Sequence, residues 1–146
     1  MIKKILFPTD GSECSKNAER YVIDFAQKFK SEVILLHTYE IPEVGYGHPS
    51  TVGIYHYNDK MIEDITTAAK NFTDEVKVLF EAENIPVKTI LKKGNAGAEI
   101  IQALDSEDCD LVIMGSRGLG GIKSFLLGST SNYVVHHTKK PVMLIH

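Results

Sequence analysis

The sequence predicts an α/β fold, a single doubly wound domain with helices on both faces of a parallel sheet. The length of 146 residues suits one domain. Short apolar runs alternate with amphipathic stretches along the chain, and this alternation is typical of a parallel sheet covered by helices. Because no repeat, linker or low-complexity stretch interrupts that order, we expect residues 1–146 to form one domain.

The composition narrows the class of protein. Hydrophobic residues make up 43% and charged residues 24% of the chain, as in ordinary soluble globular proteins. The net charge is −3, so the chain lacks the excess of basic residues that is typical of non-specific nucleic-acid binding. No apolar run approaches the roughly 20 residues of a membrane-spanning helix, and Cys14 and Cys109 form no disulfide framework. We therefore expect a cytoplasmic protein that binds neither nucleic acid nor membranes.

The first half of the chain predicts two strands and two helices. Ile2 to Phe7 reads as a short strand that Pro8 ends. The continuous apolar run Val33 to Leu36 indicates a buried parallel strand. Helical spacing from Asp59 to Glu83 predicts the longest helix. The first helix is predicted by an apolar stripe of Ala18, Tyr21, Val22, Phe25, Ala26 and Phe29.

A long loop is predicted between the second strand and the longest helix. Residues 39–58 include four of the six tyrosines, together with prolines, glycines and histidines. Loops of this length are uncommon in compact domains and are usually functional or mobile. A tolerated surface insertion explains the segment equally well, so we expect a mobile loop whose role stays open.

The second half continues the alternation. Ile85 to Ile90 predicts an edge strand, because Pro86 cannot donate to a ladder and Lys88 is charged. The remaining predicted elements are a short helix containing Ile100, Ile101 and Leu104, a buried strand Leu111 to Met114, a helix Ser129 to Thr138 with Tyr133 and Val134 inward, and a final strand Pro141 to Ile145.

The predicted topology places a ligand site at one end of the sheet. In doubly wound sheets, ligands bind beyond the carboxyl ends of the strands, where the strand order reverses. In this chain those ends are Pro8 to Asp10, His37-Thr38 and Met114-Gly115. We expect functional residues in these three places.

The glycine-rich segment from 115 to 130 is the strongest chemical signal. Its glycines allow backbone N–H groups to approach an anion closely. Gly128, Ser129 and Thr130 then open a helix, whose free N–H groups favour a phosphate. Arg117 and Lys123 supply positive charge. The segment suits phosphate binding, although a flexible connection with an ordinary helix cap has the same composition.

Two common nucleotide motifs are excluded. A Walker A loop ends in Gly-Lys-Ser or Gly-Lys-Thr, and this segment does not. The dinucleotide fingerprint needs its glycines directly after the first strand, where this chain has Pro8 to Ser12.

The spacing of the glycines resembles a known motif. Gly115 and Gly118, followed after nine residues by Gly128-Ser129, are similar to the ATP-binding motif of the universal stress protein family. The opening Ile5 to Ser12 is also similar, as are Leu36 to Thr38 and the closing Pro141 to Ile145, so the resemblance runs from end to end. It implies the sheet order 3-2-1-4-5, a homodimer, and membership of the ATP-binding members of that family.

The same resemblance implies which residues hold ATP. Thr38 stands where the family often has valine, which keeps the β-branched shape and adds a hydroxyl near the base. The implied adenine and ribose contacts are Pro8, Thr9, Asp10, Thr38 and Met114. The implied ribose and phosphate contacts are Gly115, Ser116, Arg117, Gly118, Gly128, Ser129 and Thr130, with Lys123 and Arg117 as auxiliary charges.

Turnover of ATP is less well supported than binding. The segment 115–130 contains no carboxylate, whereas hydrolysis normally needs a positioning residue and a carboxylate-held metal. Asp10 is the one acid of the predicted site, so Mg²⁺ would be held mainly by the phosphates. Asp10 also suits an Asx turn or a helix cap. We expect a nucleotide-responsive protein, with a slow ATPase or a scaffold without nucleotide as alternatives.

The last strand and the histidines complete the expectations. Val142 to Ile145 is an open apolar edge, which invites pairing with a second copy, as the resemblance also implies. His37 is interpreted as a hydrogen-bonded core or rim residue. No histidines or cysteines have the spacing of zinc ligands, so no metal site is predicted. A protein partner is expected but not specified.

Overall fold

The computed structural model describes residues 1–42, 59–120 and 126–146. Strands and helices alternate in this part of the chain, and the strands form one parallel sheet in the order β3-β2-β1-β4-β5. The order 3-2-1-4-5 is thereby confirmed. The elements are β1 Lys4–Pro8, α1 Glu13–Phe29, β2 Glu32–Tyr39, α2 Asp59–Ala82, β3 Val87–Lys93, α3 Ala96–Ser106, β4 Leu111–Gly115, α4 Ser129–His137 and β5 Val142–Ile145.

Each face of the sheet carries its own apolar core. Ile5 and Phe7 of β1 face α1 and α2 on one side, and Leu6 faces α3 and α4 on the other. All three side chains are fully buried. Because alternate residues of a strand point to opposite faces, burial on both faces requires the continuous apolar runs seen in the sequence.

The strand order reverses beside β1. This strand pairs with β2 through Lys4↔Glu32 to Pro8↔Leu36 and with β4 through Ile5↔Leu111. The chain leaves β1 through α1 on one face and reaches β4 through α3 on the other. The helices therefore diverge at the carboxyl ends of β1 and β4, and a crevice opens between them.

Local capping explains why α1 begins before its apolar stripe. Ser12 has an extended backbone, and its hydroxyl oxygen accepts from the Ser15 N–H at 3.3 Å. This is the usual geometry of an N-cap. The helix therefore begins at Glu13, ahead of Ala18, and ends at Phe29, with Lys30 as its C-cap in a left-handed conformation with φ 56°.

Four sequence-based expectations need correction. β1 is Lys4–Pro8 rather than Ile2 to Phe7, and it includes Pro8 because that residue stays in register with Leu36 of β2. β3 runs to Lys93, because its ladder with β2 continues to the Gly94 N–H, which donates to the Tyr39 oxygen at 3.0 Å. Tyr39 is consequently the last residue of β2, and positions 43–58 of the predicted loop lie outside the described residues. Tyr133 does not face inward: it is 39% exposed, whereas Val134 is fully buried.

The cysteines are free thiols, as predicted. Cys109 is fully buried before β4, and burial, with a smaller contribution from Glu107, raises the pKa of its thiol to about 11. Cys14 is half-buried near the start of α1. None of the helices in the described ranges combines the length and the apolar composition that a membrane span requires.

Candidate functional site

A cavity of about 840 Å³ opens at the carboxyl ends of β1 and β4. Its volume falls within the range of about 300–1,000 Å³ that is usual for small-molecule sites. Every described residue that was predicted for the site lines this one cavity. They are Pro8, Thr9, Asp10, Thr38, Met114, Gly115, Ser116, Arg117, Gly118, Gly128, Ser129 and Thr130.

One side of the cavity is apolar. Met114, Leu36 and Ile100 are almost completely buried and contribute to its lining. Ala96 adds the first turn of α3, and Leu126 flanks the start of α4. Sequence reasoning missed Leu36, Ala96 and Ile100, because apolar residues of a strand or helix look the same whether they line a cavity or fill a core.

The end of β1 leaves backbone groups of β2 facing the cavity. The Thr9 N–H donates to the Leu36 oxygen at 3.0 Å, and the chain then turns at Gly11, where φ is +77°. Backbone groups alternate in direction along a strand. The N–H and C=O of Thr38 therefore point to the same side as those of Leu36, beyond the last residue of β1. These two groups are placed to hydrogen-bond with the flat polar edge of a ligand.

Asp10 joins two segments of the cavity wall. One carboxylate oxygen accepts from the Ser12 N–H at 2.9 Å, and the other accepts from the Leu119 N–H at 3.2 Å. The first bond is an Asx turn, as one interpretation of the sequence predicted. The helix-cap interpretation is wrong, since Ser12 caps α1. Asp10 thus connects the β1–α1 turn to the glycine loop.

The start of α4 faces the cavity with free donors. Gly128 is the N-cap, and no side chain caps this end. The first N–H groups of a helix have no partner within the helix, and Ser129, Thr130 and Ser131 of this first turn line the cavity. Together with the positive end of the helix dipole, these groups suit an anion.

Ser116 forms hydrogen bonds to the end of β5 and to the start of α4. It is fully buried, and its N–H donates to the Ile145 oxygen at 2.7 Å. Its hydroxyl lies 2.7 Å from His146 Nδ1. Its carbonyl oxygen accepts from the Gly128 N–H at 2.7 Å and from the Ser131 hydroxyl at 2.6 Å. The polar groups of Ser116 are therefore engaged within the protein.

A side chain is excluded at each of the three motif glycines for a different reason. A Cβ on Gly115 would lie 2.8 Å from the Ser15 nitrogen of α1. A Cβ on Gly128 would lie 3.2 Å from the Cα of Arg117. A Cβ on Gly118 would lie 2.7 Å from a carboxylate oxygen of Asp10. Only the Gly118 contact is with a side chain at the cavity surface.

Two opposite charges line the described part of the cavity. Asp10 contributes the carboxylate and Arg117 the guanidinium. Lys123, the other predicted positive charge, lies outside the described residues. Among the described residues, no group of three or more histidines, cysteines or carboxylates is placed to hold a metal ion. The arrangement suits an anionic ligand with an apolar portion.

His37 lies behind the site. Its Nδ1 donates to the Thr9 oxygen at 2.8 Å, and its ring packs on Phe72 at 4.7 Å between centroids. The hydrogen bond confirms the prediction of a satisfied core or rim residue. The contact also holds the end of β1 against β2.

Comparison with known proteins agrees with this fold. The sequence model of the Universal stress protein family matches residues 1–146. The chain is 31% identical to Universal stress protein MJ0577 of Methanocaldococcus jannaschii, over 99% of this chain and 95% of that protein. This chain belongs to the universal stress protein family.

Solved structures show the same architecture. The structure of MJ0577 has a TM-score of 0.86 and 33% identity, covering 99% of this chain and 96% of that one. A universal stress protein in complex with cAMP has a TM-score of 0.71 at 18% identity, over 99% and 97% of the two chains. A family member from Arabidopsis thaliana with AMP bound has a TM-score of 0.63 at 18% identity, over 98% and 90%.

Proposed function

We propose that this protein binds ATP in the cavity between β1 and β4 and acts in the cytoplasm as a nucleotide-responsive homodimer in regulation or stress resistance. The observation that carries the proposal is the convergence of two independent features on one cavity. An apolar side formed around Met114 suits a flat base, and the uncapped first turn of α4 suits phosphates.

The base would lie between β1 and β2. Pro8, Thr9 and Met114 offer the apolar surface. The outward-facing N–H and C=O of Thr38 offer one donor and one acceptor, which match the polar edge of adenine. Its hydroxyl adds a further polar group near the base. Two proteins with this fold have been solved with cAMP and with AMP, so the architecture accommodates adenine nucleotides.

The phosphates would lie against the glycine loop. Gly118 leaves space beside Asp10, and Ser129 and Thr130 offer backbone and hydroxyl donors. One carboxylate in the described lining gives Mg²⁺ a single protein ligand, so the ion would be held mainly by phosphate oxygens. Asp10 is also engaged by two N–H groups. Binding with at most slow hydrolysis follows from this donor set.

The experiment is a titration of purified protein with ATP by calorimetry, preceded by mass spectrometry of any released nucleotide. In Gly118→Val, the new side chain must displace the Asp10 carboxylate and enter the cavity, so we expect a loss of affinity of at least about tenfold, equivalent to about 1.4 kcal/mol. Gly120→Val is the matched control for added bulk in the cavity lining, since no atom of the described residues lies within 4 Å of a Cβ placed there and the Asp10 carboxylate is not displaced.

The outcomes separate the alternatives. Wild type with no affinity for any adenine nucleotide would favour a scaffold without nucleotide. Equal affinity in Gly118→Val and wild type would contradict the site assignment. Release of phosphate from bound ATP, timed in the same samples, would measure how slow an ATPase the protein is.

A further inference from the structure

Ser12 contacts the glycine loop from behind the cavity wall. Its side chain is buried, and Ser12 is not among the residues that line the cavity. Its hydroxyl accepts from the Ser15 N–H at 3.3 Å, which caps α1, and donates to the Arg117 carbonyl oxygen at 3.3 Å. A serine hydroxyl has one proton to donate, and in Ser12 that proton is directed at the glycine loop. Only the first of the two bonds is needed to cap the helix.

The β1–α1 turn supplies hydrogen bonds that the glycine loop does not make within itself. Residues 117–119 form no backbone–backbone hydrogen bond in the described part of the chain. Ser12 instead binds the Arg117 carbonyl oxygen, and Asp10 accepts from the Leu119 N–H at 3.2 Å. Because backbone polar groups need partners, these two side chains decide how this part of the loop is oriented.

The bond from Ser12 sets the direction of the peptide group between Arg117 and Gly118. This peptide is trans, so its C=O and N–H point in opposite directions. With the oxygen turned toward Ser12, the Gly118 N–H points away from the β1–α1 turn. The Gly118 nitrogen lies 3.5 Å from the position of a Cβ built on Gly128, the N-cap of α4. No described residue accepts a hydrogen bond from it.

We propose that Ser12 is a positioning residue for ligand binding and acts through the Arg117 carbonyl. By holding that oxygen, Ser12 directs the Gly118 N–H to the side of α4, where it adds one donor for an anionic part of the ligand. This inference rests on the proposed function, because it concerns how the same cavity is assembled. Ser12 itself does not contact the ligand.

A purely structural role of Ser12 makes a different prediction. If the hydroxyl only capped α1, ligand affinity would follow the stability of the protein. Alanine is a poor N-cap, whereas glycine caps almost as well as serine. Both substitutions remove the donor to Arg117. Threonine keeps a hydroxyl at the same position and is also a good N-cap, so it retains both bonds.

The test is a calorimetric titration of ATP into wild type, Ser12→Ala, Ser12→Gly and Ser12→Thr. We expect ATP affinity to fall about fivefold in both the alanine and the glycine variant, the effect of one hydrogen bond. Thermal melting should show a larger loss of stability for alanine than for glycine. Ser12→Thr should bind ATP within about twofold of wild type.

Ser31→Ala is the matched control for the loss of a buried serine hydrogen bond. The Ser31 hydroxyl is buried and donates to the Ile2 oxygen at 2.7 Å. This bond lies ahead of β1 and β2, at the end of the sheet away from the cavity. The control therefore removes a serine bond to a carbonyl oxygen, as Ser12→Ala does. It should lower the melting temperature and leave ATP affinity unchanged.

A second measurement does not depend on a ligand. In protein free of nucleotide, NMR relaxation gives the backbone order parameter of the Gly118 N–H. We expect a value close to the rigid limit of about 0.85 in wild type and Ser12→Thr, and a fall toward about 0.6 in Ser12→Ala and Ser12→Gly. Equal order parameters in all four proteins would overturn the positioning role, as would an ATP affinity that follows the melting temperature across the series.

The inference and the proposed function fail in distinguishable ways. A wild type that binds ATP, with unchanged affinity in Ser12→Ala and Ser12→Gly, would overturn the positioning role alone. A wild type that binds no ATP would overturn the proposed function and the role of Ser12 in binding. The order parameters of Gly118 would then decide by themselves whether Ser12 holds the loop.

Discussion

The two outer strands of the sheet, β3 and β5, present opposite chemistry. β3 carries three exposed charged side chains, Lys88, Lys92 and Lys93. β5 is Val142–Ile145, with four half-buried apolar side chains and no charge. Lysines on an edge strand block pairing with another chain. The comparison teaches that one edge is protected by its own side chains and that the other is suited to a second copy.

The backbone of each edge has the same alternation. In β5, the Pro141 and Ile145 oxygens accept from Val112 and Ser116 of the β4 side. The intervening alternate residues, Val142 and Leu144, therefore point their N–H and C=O groups to the open side. In β3, the Pro86 oxygen and the Gly94 N–H bond to β2, so the outward set includes Thr89. Homodimerisation through β5, which we propose, would use Val142 and Leu144.

Leu144→Pro should have the largest effect on this comparison. The substitution removes one outward-facing N–H from each copy, so a two-fold symmetric interface loses two backbone hydrogen bonds. Two backbone hydrogen bonds at about 1 kcal/mol each predict a dimer dissociation constant raised at least about 30-fold. Sedimentation velocity over a range of protein concentrations measures the change.

The matched control for this change is Thr89→Pro, which removes an outward N–H from the protected edge. We expect its dimer to dissociate as the wild type does, with circular dichroism confirming that both variants are folded. Should Leu144→Pro fail to fold, Val142→Lys places a charge on the same edge instead. A dimer that withstands the β5 changes and dissociates in Thr89→Pro would reverse the assignment of the two edges.

Removing the protection of β3 should have a smaller effect. In the double variant Lys92→Val and Lys93→Val, the second edge becomes apolar and β-branched, as in sequences that pair edge to edge. We expect species larger than the dimer in light scattering at high protein concentration. The variant Lys92→Gln with Lys93→Gln removes the charge without adding apolar surface, and it should stay closer to wild type.

Salt should have the smallest effect. Because β5 contains no charged side chain, dissolved salt has no ion pair to screen along this strand. The dimer dissociation constant should change by less than about threefold between about 0.05 and 0.5 M salt. A steep salt dependence measured by sedimentation would indicate that charged surfaces elsewhere hold the two copies together.

The order of elements could be predicted because the strands are buried on both faces. Leu6, Ile34 and Val112 belong to apolar runs that no exposed segment would carry. The reversal of strand order beside β1 then brings distant residues such as Asp10 and Gly118 to one cavity. The family resemblance, carried by the glycine spacing together with the Pro8 to Ser12 turn, supplied the rest of the predicted site.

Other features depend on contacts that a linear pattern does not contain. Helix α4 is only two and a half turns long, too short for its stripe to distinguish Val134 from Tyr133. Tyr133 lies against Gly97 of α3, where a Cβ would be 2.7 Å from its ring, and stacks on His137 at 3.8 Å between centroids. The hydrogen bond between Ser116 and His146 joins residues 30 positions apart in the sequence, so no local sequence pattern predicts it.

The close approach of Gly115 to α1 has a consequence for the diagnostic value of the glycine motif. The Ser15 nitrogen excludes a side chain at Gly115 whether or not the cavity is filled. A descendant of this chain whose cavity bound nothing would still be held to glycine there by the packing of α1 on β4. Gly118 faces the side-chain carboxylate of Asp10 instead of a backbone atom, so other residues could replace it once no ligand is bound. The second glycine of the motif, rather than the first, therefore distinguishes a working site from an inherited one.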